Sequence, residues 1–71
     1  MQKSLGTVLR EARESCGLSQ IDLALQAQVS QATVSRIEAG ARLQPLAHIV
    51  ARLARALGLP VEVVMASWIH E

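Results

Sequence analysis

Apolar residues recur along this chain at intervals of three and four, and three of the runs stop at a glycine: Gly17, Gly40 and Gly58. Such spacing lays a stripe on one face of a helix, and a glycine just past the stripe suits the left-handed residue of a C-terminal cap. The pattern restricts the chain to short helices packed on one another. Leu5, Val8, Leu9, Ala12 and Cys16 carry the first stripe, with Arg10, Glu11, Arg13 and Glu14 between them. Ser19 can cap a second helix, with Asp22 near its positive end, running to about Ala27. Ser30 caps a short third helix in which Val34 and Ile37 face inward. Gln44-Pro45 opens a fourth, where proline in the first turn costs little, and Leu46, Ile49, Val50, Leu53, Ala54 and Leu57 fill its stripe. From Pro60 onward Val61, Val64, Met65, Trp68 and Ile69 fit a helical face, although the β-branched content also suits a strand. A fifth helix is the preferred reading.

The 71 residues are too few to divide, so residues 1–71 are expected to form one all-α domain, a bundle of five short helices. One Trp, with no Phe or Tyr, leaves an aliphatic core that suits closely spaced helices. A domain this small is marginal alone and calls for disulfides, a metal or oligomerisation. Cys16 is the only cysteine, which rules out an intrachain disulfide, and His48 and His70 are too far apart for ordinary zinc-ligand spacing. No metal or cofactor is expected, and oligomerisation remains. The start of the chain lacks the apolar run of a signal peptide, and charges interrupt every apolar stretch, so the expected location is the cytoplasm, associated with the nucleoid and not with membrane. A net charge of +1 is low for a nucleic-acid binder, so that function would rest on where charges are placed.

The most informative stretch is Gln20 to Ile37: two short helices joined by a tight turn, with Leu23, Ala24, Val29, Val34 and Ile37 placed to close a core. Ala24 supplies the small side chain that steeply crossing helices need. This stretch, LSQIDLALQAQVSQATVSRIEAG, resembles the phage repressor and Cro type of helix-turn-helix domain. The resemblance runs from about Leu5 to Leu59. It rests on Gly17-Leu18-Ser19-Gln20, Leu23-Ala24, Val29-Ser30-Gln31, Val34-Ser35, Glu38, Gly40, Pro45 and Leu53-Ala54 to Ala56-Leu57-Gly58. Gln28 departs from it, since the family often has glycine there in a turn of positive φ; a side chain at such a position costs about 1 kcal/mol.

The resemblance implies a lambda-repressor-like fold and a third helix, residues 30–39, lying in the DNA major groove. Gln31, Ala32, Ser35 and Arg36 become the base-reading candidates. Gln31 can pair with the Hoogsteen edge of adenine, Arg36 with guanine or a phosphate, and Ala32 can meet a thymine methyl. Gln20 is implied to contact a phosphate and to brace Gln31, with Ser19, Thr33 and Arg42 as further phosphate contacts. Arg13 and Glu38 match a pair that joins the first helix to the end of the third.

Val61, Val64, Met65, Trp68 and Ile69, in the segment 60–71, exceed what one face of a terminal helix buries and are read as a homodimer contact. The expected function is sequence-specific binding of double-stranded DNA by a homodimeric transcriptional regulator, a repressor, at an inverted repeat. No enzymatic role is expected: Cys16 lies on the apolar stripe, read as a buried aliphatic substitute, and neither histidine has a partner in sequence. The alternative is a protein-interaction module, such as an antitoxin that binds a toxin or another regulatory protein and pairs its subunits through a strand over Leu59 to Met65. Controllers of restriction systems are of similar size, and the sequence does not separate these contexts.

Overall fold

The computed structural model describes residues 4–40 and 47–69, with side chains as far as 66. They form five helices: α1 (Leu5–Ser15), α2 (Gln20–Ala27), α3 (Gln31–Glu38), α4 (Ala47–Ala56) and α5 (Val61–Ile69). Local chemistry accounts for their limits. Ser4 caps α1, its Oγ accepting the Thr7 N–H at 3.2 Å. At α2 the Ser19 hydroxyl accepts the Asp22 N–H at 3.0 Å while the Asp22 carboxylate accepts the Ser19 N–H at 3.1 Å, so two orphan donors are satisfied at once. Ser30 repeats half of this at α3, accepting the Thr33 N–H at 3.0 Å. The Pro60 carbonyl accepts the N–H groups of Val63 and Val64, which starts α5 as a helix.

The glycines that close α1, α3 and α4 all have positive φ. So does Gln28, which ends α2 at φ 59° and ψ 45°, the left-handed region its side chain disfavours. This tight reversal brings α3 back across α2, and Ala24, buried at the crossing side of α2, keeps the two close.

Packing then orders the bundle. α2 lies on α3 and α4, α1 on α3 and α5, and α4 on α5. Leu9, Leu23, Val34, Val50, Leu53 and Val64, contributed by all five helices, are fully buried at the centre. Each is worth roughly 1.5–3 kcal/mol of burial. Gly6 sets how closely α1 approaches α3. A Cβ there would lie less than 3.0 Å from the Ile37 carbonyl oxygen and 3.1 Å from that of Glu38. The backbone of α1 therefore rests on the last turn of α3 with no room for a side chain.

Two expectations change, and one alternative gives way to the preferred fifth helix. Cys16 is exposed, because α1 ends at Ser15 and Cys16 forms the C-cap, its N–H returning to Ala12 and Arg13 while the chain swings away from the stripe. Val64 is wholly buried in its own chain's core, so it has no surface to offer a second protomer. Leu59 to Met65 does not form a strand; it passes from a turn into α5. Gln44, Pro45 and Leu46, expected to open the fourth helix, lie outside the described residues. Among the described residues no helix is long and apolar enough to cross a membrane, and no cluster of His, Cys, Asp and Glu is arranged to hold a metal.

Candidate nucleic-acid interface

Three elements meet at one end of the bundle: the N-termini of α2 and α3 and the last turn of α3, held by α1. Their side chains form one connected chain of hydrogen bonds. The Arg13 guanidinium grips Glu38 in a forked pair, Nε to Oε2 at 2.7 Å and Nη2 to Oε1 at 2.9 Å. Its remaining nitrogen, Nη1, donates to the Leu18 carbonyl at 2.8 Å, which ties the α1–α2 turn to the same point. Glu38 Oε1 also accepts Gln20 Nε2 at 3.2 Å, and Gln20 Oε1 accepts Gln31 Nε2 at 3.1 Å. Burial grades along this path: the side chains of Glu38 and Arg13 are 4% and 12% exposed, Gln20 is half-buried and Gln31 faces solvent. The hydrogen bond to Glu38, with its charge, raises the Arg13 pKa above its ordinary value against an opposing desolvation. The pair is a charge-assisted, forked anchor between α1 and α3.

The positions implied by the resemblance fall as follows. Gln31, Ala32 and Arg36 are exposed on α3 and Ser35 is half-buried beside them. Ser19 is exposed at the N-cap of α2 and Gln20 follows it at the first helical position. Thr33 is half-buried and its Oγ1 shares a 2.7 Å hydrogen bond with the Ser30 hydroxyl. Arg42 lies outside the described residues, as do the side chains of Trp68 and Ile69. On α5, Val61 and Met65 are half-buried against the core. They floor an open groove of about 480 Å³ between α4 and α5, flanked by Arg52 and Arg55. Val63 on the same helix is 58% exposed.

Sequence reasoning missed the bond from Gln20 to Glu38, which joins the Arg13–Glu38 pair to the two glutamines. It also missed the anchor on Leu18. The first links residues 18 apart in the chain and the second spans only five, but reaches a backbone carbonyl that no side-chain pattern announces.

The first N–H groups of an α-helix carry the positive end of its dipole. At α2 and α3 the caps of Ser19, Asp22 and Ser30 satisfy part of these donors, and the Asp22 carboxylate stands at the α2 end, while the Gln20 and Gln31 side chains link the two ends. A phosphate can be held there without lysine or arginine. The exposed face of α3 beside them presents amide, hydroxyl, methyl and guanidinium groups, the types that read base edges.

The helix-turn-helix domain family matches residues 4–68. A search of curated protein sequences finds no match. Among solved structures, the restriction-modification controller protein C.AhdI from Aeromonas hydrophila is 33% identical. The match covers 84% of this chain and 89% of that one, with a TM-score of 0.76. The clp gene regulator ClgR from C. glutamicum is 32% identical over 89% of this chain and 80% of its own, with a TM-score of 0.74. The N-terminal DNA binding domain of SinR from Bacillus subtilis shares the fold at a TM-score of 0.80 with 23% identity, covering 86% of this chain and 88% of that one. By their names these are a restriction-modification controller, a gene regulator and a DNA-binding domain. With α2 and α3 as its two characteristic helices, the chain belongs to the helix-turn-helix domain family, of the phage repressor and Cro type.

Proposed function

We propose that the chain is a homodimeric transcriptional repressor that binds an inverted-repeat operator with α3 in the major groove. The single observation that carries this reading is the Gln31–Gln20 hydrogen bond at the junction of two helix N-termini. It holds a base-reading side chain beside a phosphate site, so position on the backbone and reading of the base are set together. Gln31 reads a base edge, with Ala32, Ser35 and Arg36 along the same face. Gln20 and the N-terminus of α2 bind phosphate, with Ser19, Thr33 and Arg42. If the Ser30 hydroxyl donates to Thr33 Oγ1, the Thr33 hydroxyl keeps its own proton for a phosphate oxygen.

Dimerisation is assigned to α5. With Val64 withdrawn into the core, the described part of the surface consists of Val61, Val63 and Met65; Trp68 and Ile69 are kept in the proposal on the sequence alone. Two protomers reading half-sites about one helical turn apart combine modest affinities into one specific complex. The strand that the antitoxin alternative placed over Leu59 to Met65 gives way to α5.

Selection of bound sequences from a random DNA pool, with the protein's mass in solution measured in parallel, tests the reading. An enriched inverted repeat bound by a dimer is expected. Gln31→Ala should then lose about 1–3 kcal/mol on that site and little on random DNA. Equal loss on both would refute base reading by Gln31.

A further inference from the structure

We propose that the groove between α4 and α5 is a docking site for an acidic amphipathic helix of a partner protein. His48, Arg52 and Arg55 stand four and three residues apart on α4, a spacing that lines them up on one face of the helix over roughly 10 Å. All three are exposed, and together they form one wall of the groove. Its floor is apolar: Ala51 from α4, with Val61 and Met65 one turn apart on α5, all half-buried. Among the described residues no carboxylate lines the groove and neither arginine makes an ion pair. The one hydrogen bond from these two guanidiniums is long, Arg52 Nη1 to the Gln28 carbonyl at 3.5 Å. A basic wall over an apolar floor is thus left without an internal counterpart.

A second copy of this chain matches the wall poorly. A two-fold contact sets the same patch on both sides, which brings arginines towards arginines, and Glu62 is the only acid on α4 or α5. A nucleic acid has the charge, but its sugars and phosphates give Val61 and Met65 nothing apolar to pack against. A small ligand would stay largely in water, because this groove is open while ligand pockets enclose what they bind. An amphipathic helix answers both surfaces at once: carboxylates at i, i+4 and i+7 meet the row on α4, and the adjoining apolar stripe covers the floor. An extended segment would lay unpaired backbone groups over that floor, whereas a helix satisfies its own. The inference is independent of how α3 reads DNA. It shares Val61 and Met65 with the contact proposed for the dimer, so the protein's mass is measured alongside.

The experiment titrates the full chain into a fluorescent synthetic peptide of about 16 residues, long enough to hold a helix, with glutamates at i, i+4 and i+7 beside a leucine stripe. Two companion peptides are measured: one with lysines in place of the glutamates, and one of identical composition with charges and leucines spread round the helix. Fluorescence anisotropy should show the acidic peptide binding about tenfold or more tighter than either. Arg52→Glu/Arg55→Glu should lose the acidic peptide and gain the lysine peptide, an exchange that loss of structure does not produce. Ala51→Gln, which fills the floor and leaves the charges alone, should weaken the acidic peptide by a similar factor. Circular dichroism establishes whether the double variant folds; if it does not, Ala51→Gln and the three peptides decide. Equal binding of the spread peptide would overturn the proposal in favour of charge alone, and so would acidic-peptide binding unchanged in either folded variant. No binding at millimolar protein would overturn it as well, and the mass then tells why. A dimer that the variants take apart gives the groove to a second copy, and a mass unaltered by both leaves it with neither occupant.

Discussion

Gly6→Ala separates a packing argument from a propensity argument, because the two predict opposite signs. Alanine is the better helix former, and on an open helix the exchange would stabilise by about 1 kcal/mol. In this fold the new methyl would sit less than 3.0 Å from the Ile37 carbonyl oxygen, with the Glu38 carbonyl oxygen at 3.1 Å and its Cα at 3.2 Å. All three obstacles are backbone, so no side-chain rotation relieves the overlap and α1 must lift from α3. Overpacking of this kind costs typically 1–3 kcal/mol, and a backbone obstacle argues for about 3. Subtracting the propensity gain leaves a net loss of about 2 kcal/mol, equivalent to a fall in Tm of roughly 8–16 °C for a domain of this size.

Urea titration followed by circular dichroism measures the loss directly, and Gly6→Ser should behave at least as badly. The lift also strains the Arg13–Glu38 pair, since its partners stand on the two helices being separated. Binding to the selected operator should weaken by more than binding to random DNA, because α3 loses its set position. A Gly6→Ala protein as stable as the unmodified one, or more stable, would refute the claim that α1 and α3 touch through their backbones here.

Gln28→Gly should stabilise by up to about 1 kcal/mol, by relieving the left-handed strain at φ 59° less the added freedom of the unfolded chain; a raised urea midpoint checks it. Asp22 has its pKa held below the 3.8 of a free aspartate, chiefly by the hydrogen bond from the Ser19 backbone and then by that of its side chain. A depressed carboxyl pKa adds stability above the unfolded value and loses it as pH falls through the folded one. Melting temperature should therefore drop below about pH 4 in the unmodified protein, more steeply than in Asp22→Asn, whose curve should already lie lower at neutral pH. Arg13→Met should cost about 3–5 kcal/mol in denaturation, as expected when one partner of a buried ion pair is removed.

What could be read from the sequence follows how local each cause is. Ser19 with Asp22, Ser30 with Thr33 and the glycines after α1, α3 and α4 act within one turn of helix, so their spacing is their mechanism. The stripe of α4 was legible for the same reason, as was the left-handed position at Gln28 once the turn had been located by resemblance. Gly6 was not, because its demand comes from Ile37 and Glu38 across the bundle. Val64 and Cys16 show the limit of periodicity. A stripe names the residues that share a face, but not where that face stops: α1 ends one residue short of Cys16, and α5 turns Val64 into the core while Val63, its neighbour, faces solvent. At the interface, Gln31 and Gln20 were legible as a pair. What aims them was not, because Glu38 was understood only as the partner of Arg13.

That double engagement of Glu38 bears on the low charge of the chain. Arg10, Arg13 and Arg36 are the cations among the described residues of the first three helices, and Arg13 is engaged internally. Exposed Arg10 and Arg36 are few for a protein whose hold on DNA came from displacing counterions, the source of nearly all nonspecific affinity. On the proposed reading, backbone N–H groups at the α2 and α3 termini carry a larger share of phosphate binding, and they act only at one register and one angle. A protein built this way holds random sequence weakly, and its specific affinity depends on the aim of α3. The buried pair, the Leu18 anchor and the bare backbone of Gly6 all fix that aim, so the residues that stabilise the α1–α3 contact and those proposed to read DNA are parts of one arrangement.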